Sequence, residues 1–275
     1  MGFCWDLVVG IWDFTMTAFL EEQFTLSGET AIVVGGTGEL CGAIAEGLAR
    51  AGAKVAIVGR DAKKAEARLK SIKKSGGEAI FVPAEATKKA DLEKVLAATE
   101  RAFGPVTIAV NGAGVNSATP FLDVAEEELQ RIFDVNYKSV FLGCQVFGKA
   151  MVDRKKGGSI LNLSSMAAVR PLSRVFNYSA SKAAMLNLTM NLAREWAPHH
   201  VRVNALAPGF FPAEQNRKVL TPDRVESIMR MTPMKRFGEA QELVGAAIFL
   251  CARKAGSFVT GCHLTVDGGF SVTAI

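Results

Sequence analysis

A doubly wound α/β domain, with a seven-stranded parallel sheet and helices on both faces, is the architecture this sequence predicts. Three observations lead to it. Short apolar runs alternate with helix-length segments along almost the whole chain, near 30–34, 54–58, 79–83, 106–110, 158–163, 201–206 and 262–266. A glycine-rich turn separates the first of these runs from the helix that follows it. The 275 residues, 49% of them hydrophobic, contain no linker, repeat or low-complexity tract, which suits one large domain.

The first strand, Thr30-Ala31-Ile32-Val33-Val34, is short and β-branched, like a strand buried on both faces. It leads into Gly35-Gly36-Thr37-Gly38-Glu39-Leu40-Cys41-Gly42, and then into Ala43 to Gly52, which reads as a helix closed by glycine. Lys54-Val55-Ala56-Ile57-Val58 is the next strand. Strand, glycine turn, helix and strand make the βαβ unit of a Rossmann fold. Glycines let the backbone approach a pyrophosphate, and the helix N-terminus supplies free N–H donors. Further along, Thr107-Ile108-Ala109-Val110 runs into Asn111-Gly112-Ala113-Gly114, and Asp134-Val135-Asn136 lies in a long helical stretch near 126–153. Ser159 to Ser165 is a strand ending in two serines, and a second long helix covers 181–197. Val201 to Gly209 is the sixth strand and its exit. Residues 209–238 break the alternation with Pro212, Pro222 and Pro233, and an insertion of that length beside the sixth strand reads as functional.

Composition excludes several classes. Thirty-two basic against 27 acidic residues give a net charge of +5, and the lysines are scattered over helical stretches as solvated faces. This argues against a nucleic-acid surface and suits anionic cofactors or acidic substrates. The five cysteines include no Cys-x-x-Cys, and their odd number points to a reduced, cytoplasmic protein; with three histidines and no ligand spacing, no metal site is expected. Residues 1–24 read as an N-terminal extension to a domain over 25–275. The first fifteen are apolar and aromatic but lack a basic leader, carry Asp6 and Asp13, and are too short to span a membrane, so they read as an upstream translation start, the alternative being a short surface or membrane-interface element.

The chemistry centres on Asn177-Tyr178-Ser179-Ala180-Ser181-Lys182. Four residues is one helical turn, so Tyr178 and Lys182 share a face. A nearby ammonium favours the phenolate and lowers the tyrosine pKa, making the pair a proton donor with its tuner.

Taken in order and spacing, these motifs, with Ser165 thirteen residues before Tyr178 and Val266-Asp267-Gly268-Gly269 near the end, resemble the short-chain dehydrogenase/reductase family over residues 25–272. The resemblance implies hydride transfer between a nicotinamide and a carbonyl or alcohol. Tyr178 would move the proton and Lys182 would tune it and bind the nicotinamide ribose. Ser165 would donate to the substrate oxygen, and Asn136 would hold the helix geometry. The cofactor would contact Gly35, Gly36, Thr37, Gly38, Glu39, Leu40, Arg60, Glu85, Asn111, Gly112, Ala113, Tyr178, Lys182, Pro208, Gly209 and Phe211. Glu39 and Cys41 stand where the family usually has glycines. An NAD enzyme wants an acid at the end of the second strand, and that place holds Gly59 followed by Arg60, so NADP(H) is the expected cofactor and NAD(H) the alternative.

The segments 164–174 and 208–217 resemble the branch of D-mannonate oxidoreductases (fructuronate reductases) and gluconate 5-dehydrogenases, which implies a keto-sugar acid. Asn116, Gln215 and Asn216 could read its hydroxyls, and Arg170 and Arg174 its carboxylate, while 209–238 would cover it. The rival readings are a 3-oxoacyl-carrier-protein reductase, which shares the core motifs, and a non-catalytic dinucleotide-binding protein. The family also implies a homo-oligomer, tetramer or dimer.

Overall fold

The computed structural model describes residues 17–212 and 221–273; residues 1–15, read above as an extension, lie outside the described residues. Seven strands form one sheet: β1 (Thr30–Val34), β2 (Lys54–Gly59), β3 (Ala79–Pro83), β4 (Ile108–Asn111), β5 (Gly158–Leu163), β6 (Val201–Pro208) and β7 (His263–Val266). Every pairing is parallel, in the order β3-β2-β1-β4-β5-β6-β7. The expected doubly wound Rossmann sheet is therefore present. Strands β4 and β6 reach further than their apolar runs, because Asn111 continues the ladder opposite Asn162 and Pro208 opposite Val266.

The helices are α1 (17–24), α2 (Glu39–Arg50), α3 (Ala62–Lys74), α4 (Lys89–Phe103), α5 (Glu126–Phe133), α6 (Ser139–Gly143), α7 (Lys149–Arg154), α8 (Phe176–Trp196), α9 (Pro222–Met231) and α10 (Val244–Cys251). The long helix expected near 126–153 is α5 to α7, joined by two π segments, Asp134–Lys138 and Cys144–Gly148. Helix α8 begins five residues before the expected 181, so Tyr178 lies within its first turn. Helix α1 is tied to the domain: Gln23 O accepts from Ala255 N at 3.1 Å, Glu22 pairs with Lys254, and Leu26 just beyond is fully buried.

Alternation along each strand divides the core in two. Ala31, Val33, Leu161 and Leu206 face a layer with Ile44 and Leu48 of α2 and Leu250 of α10. Ile32, Val34, Ile160 and Val203 face the other, with Phe147, Met151 and Met185. A period of two with both faces apolar is what a strand covered by helices on both sides requires. Where the two layers approach the sheet's carboxyl edge, Cys41 of α2 fills the space beside Gly112, and a Cβ on Gly112 would lie 2.1 Å from the Cys41 sulfur.

That contact makes the two positions interdependent. Gly112→Ala alone should destabilise the protein by about 1–3 kcal/mol through overpacking. Adding Cys41→Ala should recover most of that loss, since the remaining neighbours of the new methyl stand at 3.4 Å. Urea unfolding of the two single variants and the double variant measures the coupling.

Candidate active site

The site is built on strand ends. Beyond β1, Gly35 adopts φ +81°, and a Cβ there would lie 2.9 Å from the Gly112 carbonyl atoms, so the turn closes only around glycine. Gly35 N and Gly36 N both donate to Val58 O, fixing the turn on β2. Gly38 caps α2 without a side chain, which leaves the first amides of that helix open to an anion. Glu39 is exposed in the first turn of α2, where the helix dipole favours an acid. At the end of β2, the Asp61 carboxylate accepts from Lys64 N at 3.0 Å as the N-cap of α3. Arg60 beside it is exposed, with Nη1 3.4 Å from Glu85 Oε2.

Ser165, directly after β5, has extended backbone and caps a short 3₁₀ turn; its Oγ accepts from Ala167 N at 3.1 Å. Ser165 Oγ lies near enough to the Tyr178 hydroxyl to act on its pKa. Lys182 is buried, donates from Nζ to Leu163 O at 2.7 Å, and stands 5.6 Å from the centre of the Tyr178 ring. Asn136, in the first π segment, grips the Val115 peptide from both sides: Oδ1 accepts from Val115 N at 2.7 Å and Nδ2 donates to Val115 O at 2.9 Å. Its Nδ2 also reaches Ser181 Oγ at 3.1 Å, and Ser181 in turn donates to Tyr178 O at 2.7 Å. The π turn aims this amide inward.

The electrostatics differ from the expectation that Lys182 lowers the tyrosine pKa. Burial pushes the Tyr178 phenol up, and it is Ser165 that pulls it back. Burial also pulls Lys182 down to about 8, opposed by the Cys41 thiol. Desolvation disfavours the charged form of each and is the largest cause in both.

Gly35, Thr37, Gly38, Glu39, Leu40, Arg60, Glu85, Gly112, Ala113, Asn116, Ser165, Tyr178, Lys182, Pro208, Gly209 and Phe211 all line one cavity of about 840 Å³. Five sequence candidates do not line it. Gly36 shapes the turn from behind. Asn136 clamps the Val115 peptide. Asn111 turns inward, its Nδ2 donating to Asn162 Oδ1 at 3.0 Å, so only its neighbours Gly112 and Ala113 reach the cavity. Arg170 donates from Nε to Ser271 O in the C-terminal turn, and Arg174 is exposed with φ +64°. Gln215 and Asn216 lie outside the described residues. Among the described residues, no cluster of His, Cys, Asp and Glu could hold a metal ion, and no helix is long and apolar enough to cross a membrane.

A glycine turn, a serine and a tyrosine with a buried lysine, and one shared cavity agree with what comparison reveals. A family profile described as Enoyl-(Acyl carrier protein) reductase matches residues 39–271. The uncharacterized oxidoreductase UxuB of Bacillus subtilis (strain 168) is 39% identical over 266 residues, covering 89% of this chain and 95% of that one. The 5-keto-D-gluconate 5-reductase of Escherichia coli (strain K12) is 33% identical over 254 residues, covering 92% of this chain and 99% of that one. The chain belongs to the short-chain dehydrogenase/reductase family. It is an oxidoreductase of the kind whose named relatives act on sugar acids and sugar alcohols. In three dimensions it is similar to a gluconate 5-dehydrogenase from Burkholderia cenocepacia J2315 in complex with NADP and tartrate, with a TM-score of 0.87 at 30% identity, covering 93% of this chain and all of that one.

Within this short-chain dehydrogenase/reductase, one neighbour of Ser165 is not legible in any motif. His263 of β7 pairs in register with Ala205 of β6, which pairs with Asn162 of β5. Its ring meets the Ser165 backbone, while Nε2 is buried with no hydrogen-bond partner among the described residues. Burial holds its pKa below the ordinary 6.5, opposed by the Ser165 contact. As pH falls below roughly 6.5, the unfolded chain takes up a proton here that the folded chain refuses, so stability drops. Melting temperatures followed from about pH 7 to pH 5 should decline less steeply in His263→Val than in the wild type.

Proposed function

We propose that this protein is an NADP(H)-dependent oxidoreductase that interconverts a keto-sugar acid and the corresponding hydroxy acid. The observation that carries the reading is that Ser165, Tyr178 and buried Lys182 line the same cavity as the glycine turn. The residues fit a nicotinamide dinucleotide. Gly35 leaves room where a side chain would strike Gly112, the α2 amides carry no side-chain cap, and the cavity of about 840 Å³ runs from that turn to Tyr178.

Gly35, Thr37, Gly38 and the first amides of α2 would hold the pyrophosphate, while Pro208, Gly209 and Phe211 would border the nicotinamide. When bound, the nicotinamide supplies or accepts a hydride. The chain's own residues manage the proton. Tyr178, a neutral phenol at pH 7, donates from its hydroxyl to the carbonyl oxygen that is becoming an alkoxide. Ser165 Oγ, fixed by Ala167 N, donates a second hydrogen bond to the same oxygen. Lys182, with a pKa near 8, is mostly charged at neutral pH and stabilises the phenolate left behind. Asn136 acts indirectly, by holding the Val115 peptide against Ser181 and the start of α8.

Arg60 supports NADP(H) over NAD(H). Of the two acids nearby, Asp61 caps α3 and Glu85 stands 3.4 Å from Arg60, which is itself exposed toward the cavity end of β2. The sugar-acid substrate rests on the relatives, among them the Escherichia coli 5-keto-D-gluconate 5-reductase. Exposed apolar side chains such as Phe141 and Met190 support assembly into a homo-oligomer.

NADPH oxidation measured with a panel of keto-sugar acids, uncharged ketoses and a 3-oxoacyl thioester tests the reading; activity confined to the thioester would overturn it in favour of an acyl-carrier reductase. Tyr178→Phe should lose about 10²–10⁴-fold in kcat while still binding NADPH, and near-normal turnover would sink the mechanism. Arg60→Ala should raise the Kd for NADPH over that for NADH by about tenfold or more, the effect of one charged hydrogen bond. Equal losses on both cofactors would show that Arg60 does not read the 2′-phosphate.

A further inference from the structure

The cavity is lined by three arginines, and their circumstances differ. Arg60 pairs with Glu85 at 3.4 Å and Arg68 with Glu46 at 2.7 Å. Both belong to the β2–α3 limb, on the far side of β1 from β5 and α8. Arg224 is in the first turn of α9 and half-buried. Its backbone N–H is taken by the Thr221 cap at 3.4 Å, and its guanidinium has no hydrogen-bond or ion-pair partner among the described residues.

Topology sets Arg224 on the reacting half of the cavity. Helix α9 follows β6, the neighbour of the strand that ends at Ser165. Its far end is tied down at the edge of the sheet: Thr273 Oγ1 donates to Met231 O at 3.0 Å, and Met234 N donates to Gly268 O at 3.2 Å, just past β7. The charge of the lining is unevenly placed along the chain. Among the described residues its acids, Glu39, Glu46 and Glu85, all precede β4, and from Gly112 onward the described lining holds Lys182 and Arg224 and no carboxylate. Lys182 is already engaged by Leu163 O. A permanently charged, planar fork of five N–H donors therefore lines this cavity with no partner among the described residues.

We propose that Arg224 anchors the carboxylate of the substrate, and so decides which end of the molecule reaches Tyr178 and Ser165. This rests on the keto-sugar-acid reading above. It moves the carboxylate site away from Arg170 and Arg174, which the structure leaves outside the cavity. A guanidinium grips a carboxylate through two parallel hydrogen bonds, a geometry an ammonium does not copy.

The test compares wild type, Arg224→Ala and Arg224→Lys on 5-keto-D-gluconate and on uncharged D-fructose, with NADPH affinity followed separately by fluorescence titration. For Arg224→Ala the KM for the keto acid should rise about 10–100-fold, the effect of one or two charged hydrogen bonds. Its kcat on the acid, its kcat/KM on the ketose and its Kd for NADPH should stay near wild type, and Arg224→Lys should fall between. Equal KM increases on both substrates would overturn the anchor, as would an unchanged KM for the acid. A raised Kd for NADPH would also overturn it, assigning Arg224 to a cofactor phosphate. A wild type that reduces the ketose but no keto acid would overturn the sugar-acid reading together with the anchor, whereas a wild type active on the acid and indifferent to the substitution would overturn the anchor alone.

Discussion

The reversal of strand order between β1 and β4 is the constraint on which the rest of this structure depends. A parallel sheet directs every strand's carboxyl end to one edge, and chains that leave neighbouring strands toward opposite faces open a crevice between them. Here the glycine turn leaves β1, Gly112 to Gly114 leave β4, Ser165 leaves β5 and Pro208 to Phe211 leave β6, all at that edge. Close approach across the crevice makes glycine unavoidable, at Gly35 against the Gly112 backbone and at Gly112 against Cys41. The cavity is thus a property of the sheet, and the side chains only decide what it does.

What they do is governed by desolvation. Burial moves Tyr178 and Lys182 in opposite directions, and both toward the neutral form. The tyrosine, a neutral phenol at pH 7, has a proton to give. For the lysine, whose pKa of about 8 still leaves it mainly charged, the Leu163 carbonyl is the acceptor that makes an interior ammonium tolerable. The alignment of the pair is maintained at a distance, through Asn136, Ser181 and the start of α8. A second polar chain lies under the same strand ends: Asn111 donates to Asn162, Asn162 to Thr189, and Thr189 to Met185 O. Such networks fix register in an otherwise apolar interior, because any slip leaves a buried amide unpaired.

The arginines show how similar residues acquire different meanings. Arg170 and Arg174 precede Tyr178 by eight and four residues and look well placed in the sequence. Arg170 is spent on Ser271 O, and Arg174 sits in an exposed left-handed turn. Arg224 is forty-six residues beyond Tyr178 and reaches the cavity only because α9 folds back along the sheet edge. Asp61 is the converse case: it stands next to Arg60 in the sequence, yet its carboxylate caps α3.

Local chemistry was enough for the sequence to determine the sheet, the glycine turn and the one-turn spacing of Tyr178 and Lys182, while Ser165 entered through the family resemblance. Apolar β-branched runs, glycines at a strand exit and a one-turn spacing express physics that acts within a few residues. Tertiary structure decided the rest. A π segment, Asp134–Lys138, invisible in composition, carries the Asn136 amide that clamps the Val115 peptide. Strand register brings His263 to the Ser165 backbone across about a hundred residues of chain. The direction of the Tyr178 pKa followed burial and not the neighbouring lysine. Each of these depends on what packs against a residue from a distant part of the chain, and desolvation and packing have no signature in the spacing of residues along a sequence.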